Sequence, residues 1–200
     1  MKRIIIIVLA LMAGISAKAQ ESNILIGTGL FGETGDHAQD TFPGLVLRLS
    51  YGLDVSISDQ WSVMPGVGIR TQMAKVNEIG WDGGDPDGMS MADVFFQARY
   101  HFVSGRSRVV LGLGPQFSYM VQPDKYYIDA DPFDPRGGKE KFKKWDISLQ
   151  PSLVLQGGRH WQWGFEASVG LRNMMRPYPE YNVSGSVHLH YLALFFGWRF

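Results

Sequence analysis

The chain reads as an all-β protein, a closed eight-stranded antiparallel up-and-down transmembrane barrel. Three observations carry that reading. From residue 20 onward apolar side chains recur at every second position, the period of a strand with two unlike faces. The connections between these segments alternate between tight turns and long polar loops. Charged side chains inside the segments keep to a single phase.

The first nineteen residues are of another kind. Lys2 and Arg3 precede an apolar run, Ile4 to Ala13, and Ala17-Lys18-Ala19 has the small-x-small form that signal peptidase reads. We expect a signal peptide over 1–19, Gln20 as the mature N-terminus and one barrel domain over 20–200. The apolar run falls short of the about 20 residues that a spanning helix needs.

The segments follow in order. A first strand is expected around Ile24 to Phe31. In the second, Leu45, Leu47, Leu49, Tyr51, Leu53, Val55 and Ile57 line one face. Trp61, Val63, Val67, Ile69 and Met73 mark the third, and Val94, Phe96, Ala98, Tyr100 and Phe102 the fourth. The fifth carries Val109, Leu111, Leu113, Phe117, Tyr119 and Val121. Trp145, Ile147, Leu149, Leu153 and Leu155 define the sixth, and Trp161, Trp163, Phe165, Ala167, Val169 and Leu171 the seventh. The last runs from Ser186 to Phe200. Tight turns fall at Ser58-Asp59-Gln60, Ser104 to Ser107 and Gly157 to His160, with long loops near 33–43, 76–90, 122–144 and 173–185. Strands joined by tight turns are antiparallel, and four long loops opposite three short turns give the barrel a distinguished rim.

Size decides which face is outside. The interior of an eight-stranded barrel is just wide enough for side chains or one small ligand. The apolar faces are too bulky for it, whereas the opposite faces carry Gly, Ser, Gln and scattered charges. Arg48, Asp54, Arg70, Asp93, Arg99, Asp146, Glu166 and Arg172 all fall on that second phase. A Lys or Arg facing lipid at the midplane costs roughly 2–4 kcal/mol, which accounts for the segregation. Trp61, Phe102, Trp161, Trp163, Trp198 and Phe200 are expected to form an aromatic girdle at the membrane interface.

Composition narrows the function classes. Nineteen basic residues balance nineteen acidic ones, so no cationic surface offers itself to nucleic acid. The absence of cysteine removes disulfides, thiolate metal sites and a cysteine nucleophile. No cofactor or metal is implied.

These features resemble the small eight-stranded outer-membrane β-barrels of Gram-negative bacteria, the OmpA/OmpX-like and PorT-like barrels. The carriers are the signal-peptidase pattern, the loop alternation and the ending Leu192-Ala193-Leu194-Phe195-Phe196-Gly197-Trp198-Arg199-Phe200. The ending is similar to the signal by which the barrel assembly machinery recognises its clients. The resemblance implies export to the cell outer membrane, contact with its lipid and lipopolysaccharide, and a structural or surface-interaction role. A small pore, a PorT-like secretion accessory and a lipid A-modifying enzyme are the alternatives; a physiological protein partner is not readable. Val187, Leu189 and Tyr191 are out of phase with Leu192, Leu194, Phe196, Trp198 and Phe200, which predicts a β-bulge near Tyr191–Leu192.

The candidate site is the lumen. Arg48, Asp54, Arg70, Asp93, Arg99, Asp146, Glu166, Arg172, His188 and His190 are expected to form a polar network there, joined by His101 and centred on Glu166. Charges in so narrow a space must pair, because isolated burial is expensive. A catalytic reading would bring His188 or His190 to Ser168 or Glu166, but no nucleophile signature accompanies them, and we expect no enzyme. Asp82-Gly83-Gly84-Asp85-Pro86-Asp87-Gly88 resembles a calcium loop but lacks the closing Glu, and reads as a surface turn. Lys139, Lys141, Lys143 and Lys144 form a basic run that could meet lipopolysaccharide phosphates.

Overall fold

The computed structural model describes residues 20–35, 44–73, 88–104, 107–122, 143–175 and 186–200. The expected signal peptide and most of the long loops lie outside them, including the acidic loop around Asp85 and Lys139 and Lys141 of the basic run.

Eight strands form in chain order: β1 Gln20–Thr34, β2 Gly44–Ser56, β3 Trp61–Met73, β4 Gly88–Ser104, β5 Ser107–Gln122, β6 Trp145–Gly157, β7 Trp161–Gly170 and β8 His188–Arg199. Each is antiparallel to its sequence neighbour, and β8 pairs with β1 from Asn23↔Arg199 to Thr34↔His188, closing the barrel. Phe200 and Ser22 exchange backbone hydrogen bonds of 3.0 and 3.1 Å where the last strand meets the first.

Period-two patterning becomes alternate burial: β5 reads exposed and buried by turns from Leu111 to Met120. Among the described strand residues the outward phase carries no Asp, Glu, Lys or Arg. It presents instead a continuous apolar belt that includes Ile26, Leu30, Ile69, Leu113, Phe165 and Leu194, each about half exposed or more. Soluble monomers rarely show apolar patches beyond a few hundred Å². A surface of this kind belongs against hydrocarbon.

The strands are pinched at specific places. Pro65, Pro115 and Pro151 stand mid-strand, and a proline has no N–H to give a ladder. Pairing is interrupted opposite each of them, between Gly52↔Gly66 and Val55↔Val63, between Phe95↔Gln116 and Ala98↔Leu113, and between Leu149↔Val169 and Ser152↔Glu166. At the β6–β7 turn Gly158 takes φ of 64°, a left-handed conformation that favours glycine.

Two expectations about β8 and the interior are corrected. The ladder is regular through residues 189–194 against β1 and through 190–194 against β7, so there is no bulge near Tyr191–Leu192. The register shift occurs instead between β4 and β5, at Ser90/Met91. Val187, Leu189 and Tyr191 simply point inward together with Ala193 and Phe195, because the first half of β8 is packed on its inner face by an apolar cluster. That cluster holds Met89, Met91, Met120, Met174 and Met175 with Phe31 and Val46, so part of the lumen expected to be polar is apolar. A second apolar group, Leu25, Val110, Val154 and Phe195, lies elsewhere in the interior.

Candidate functional site

Inward-facing side chains line the lumen and bond to one another across it. At the short-turn end Arg199 of β8 reaches Glu21 at 2.9 Å, Gln156 at 3.1 Å and the carbonyls of Gly158 and Arg159 at 3.3 and 3.1 Å. One guanidinium thereby ties the end of β8 to β1 and to the β6–β7 turn, using the several donors that only arginine offers. Gln162 donates to Asn23 at 2.7 Å, and His101 lies 2.6 Å from the Ser62 hydroxyl. Arg99 pairs with Asp54 at 2.6 Å.

Glu166, expected at the centre, forms a buried ion pair with Arg48 and accepts from Gln150 at 3.2 Å. Arg48 also donates to the Tyr191 hydroxyl at 3.0 Å, as does Gln150 at 3.3 Å. That hydroxyl in turn donates to Gln116 at 3.1 Å. Gln116 continues to Ser118, which accepts from Arg70 at 3.1 Å, and Arg70 stands 3.4 Å from Asp93. The Arg70 and Arg48 guanidiniums lie 5.1 and 5.9 Å from the centre of the Tyr191 ring, and Arg48 is 5.1 Å from that of Phe95. Tyr191 is thus a hub of the network. The assumed bulge concealed it, although counting inward positions back from Arg199 reaches it directly.

The residues named from sequence sort as follows. Arg48, Asp54, Arg70, Asp93, Arg99, Asp146 and Glu166 are all buried inside, and the first three arginines each have a carboxylate partner. Asp146 accepts from the N–H of Ile147 at 2.8 Å. Arg172 stands past the end of β7 and is half-buried. His188 and His190 are corrected: they occupy the outward phase of β8, half-buried in the belt, while Ser168 and Glu166 face inward. No Ser–His contact arises between those pairs, because adjacent antiparallel strands place like phases on like faces. Lys143 spends its ammonium on the carbonyl of Asn173 at 2.9 Å.

Of the expected girdle, Trp61, Phe102, Trp161, Trp163 and Phe200 are exposed beside the tight turns or the end of β8. Trp198 is half-buried, edge-on to Trp161 at 4.1 Å and stacked on His160 at 5.0 Å. Tyr119 and Trp145, 4.7 Å apart, stand near the opposite rim. Among the described residues no three of His, Asp and Glu gather as metal ligands would.

No protein-family model matches the sequence, and no curated protein does. Solved structures do. Neisserial surface protein A aligns with a TM-score of 0.53 at 11% identity, over 92% of this chain and 100% of that one. The outer membrane enzyme PagL aligns with a TM-score of 0.52 at 10% identity, over 88% and 97% of the two chains. At such identities the likeness is one of fold, and the fold is that of the small eight-stranded outer-membrane barrels.

Proposed function

We propose that this chain is an integral outer-membrane barrel whose lumen is sealed, and that it acts by bracing the envelope and presenting its loops rather than by conducting solute. The filled interior is the observation that carries the reading. Between the Arg48–Glu166 and Arg99–Asp54 pairs, the free space lined by Phe95, Gln97, Gln150 and Phe195 amounts to about 10 Å³. That is about the room one water needs, which supports a lumen closed at this level among the described residues. The methionine cluster is a further layer of filling. On the same reading β8 supplies the recognition strand for the barrel assembly machinery, and the basic run that ends at Lys144 is a candidate contact for lipopolysaccharide phosphates. Planar-bilayer recording of the purified protein tests the seal. The expected record is flat; reproducible single-channel steps of wild type would overturn it in favour of a small pore.

A further inference from the structure

The apolar belt has a notch at the long-loop end, on the outer wall where β7, β8 and β1 lie side by side. Two rows of outward side chains cross it. Val169, His190 and Gly32 are paired across the three strands, and so are Ala167, Leu192 and Leu30. Gly32 and Ala167 remove bulk at opposite corners and leave a groove of about 350 Å³ in the outer surface. It is a shallow trough, open along the wall.

Packing does not require Gly32 to be a glycine. A Cβ at Gly29, Gly44, Gly114 or Gly164 would come within about 2.2 Å of a neighbouring backbone oxygen, whereas a Cβ at Gly32 meets nothing within 4 Å. Its φ is not in the left-handed region either. Among the described residues nothing stands in front of it.

The groove ends on the polar break in the belt. The His190 Nδ1 atom accepts from the N–H of Gly170 at 3.2 Å, so that nitrogen carries no hydrogen. The other nitrogen, Nε2, therefore bears the proton and donates to the Thr34 hydroxyl at 2.7 Å. This arrangement fixes a neutral imidazole and turns the Thr34 hydroxyl hydrogen towards a further acceptor. An apolar trough with an uncharged O–H donor just beyond its His190 corner matches an ester-linked acyl chain, with hydrocarbon along Leu30, Ala167 and Leu192 and the ester carbonyl at Thr34.

We propose that this notch is a binding site for one acyl chain of a membrane lipid, its ester carbonyl accepting from Thr34. The inference rests on the membrane-embedded reading above, and the test separates the two. The full-length mature protein is reconstituted in phosphatidylethanolamine/phosphatidylglycerol vesicles doped with a phospholipid carrying a diazirine on one acyl chain. It is then irradiated, and the adducts are mapped by peptide mass spectrometry. Adducts are expected all round the belt, enriched at least threefold at 30–34, 167–169 and 190–192. Even labelling of the belt would overturn the notch while leaving the embedding intact; a belt without adducts would overturn the embedding. Gly32→Leu, whose Cβ meets no described atom within 4 Å, is expected to abolish the enrichment, and Thr34→Val to reduce it. Ala98→Leu, on the opposite wall, is expected to leave it unchanged. Enrichment that persists in a folded Gly32→Leu variant would equally overturn the site.

Discussion

The Tyr191 hydroxyl takes hydrogen bonds from Arg48 of β2 and Gln150 of β6 and gives one to Gln116 of β5. It links three strands that are not its neighbours, across the lumen. Removing it by Tyr191→Phe leaves those polar groups short of a partner in a dry interior, at a cost of about 1–3 kcal/mol. Glu166→Gln is more severe, because it leaves the Arg48 guanidinium without its counter-charge. Breaking a buried pair from one side costs roughly 3–5 kcal/mol. Both losses are read from denaturant unfolding in detergent by tryptophan fluorescence, with Glu166→Gln expected to have the lower midpoint. Equal midpoints for that variant and wild type would mean that Arg48 is satisfied elsewhere. Neither variant is expected to open a conductance.

Strands carry a different constraint, the closeness of backbone to backbone. Gly114 precedes Pro115, where the β4–β5 ladder is interrupted, and a Cβ there would stand 1.8 Å from the carbonyl oxygen of Phe96. Only movement of the main chain could relieve that contact. The nearest atoms to a Cβ at Gly52 are those of the flexible Met64 side chain, its sulfur at 2.9 Å, rather than backbone. Gly114→Ala is therefore expected to destabilise the barrel by about 1–3 kcal/mol or more, and Gly52→Ala by less than about 1 kcal/mol. Heat-modifiable gel mobility and unfolding midpoints check the order; the reverse order would show that the pinch at Pro115 is not real.

For the barrel as a body, the partition of its surfaces governs behaviour in solution. The outward belt is apolar through the strand cores, and Arg48, Arg70 and Arg99 are paired inside with Glu166, Asp93 and Asp54. Purified protein is accordingly expected to remain monodisperse only with detergent or lipid, and to aggregate when surfactant is withdrawn. Sedimentation after detergent removal measures this. A soluble monomer would invert the assignment of inside and outside on which the sealed-barrel reading depends.

Strand number, strand order and the lipid-facing phase were legible in the residues because each depends on short-range alternation. Leu47 or Phe165 differs from its immediate neighbours, and that contrast survives in any register. The expected interior position of seven charged residues follows from the same contrast. Partner choice was not legible. Arg48 meets Glu166 at a separation of 118 residues, and Arg199 meets Glu21 at 178. Such meetings depend on how far each strand is staggered when the sheet closes. The upper half of β8 failed for a related reason: Val187, Leu189 and Tyr191 are apolar on the inner face, so contrast vanished and the histidines were assigned to the wrong side. Closure between β7 and β1 resolves that ambiguity, since a strand paired on both edges has no freedom left to choose its face.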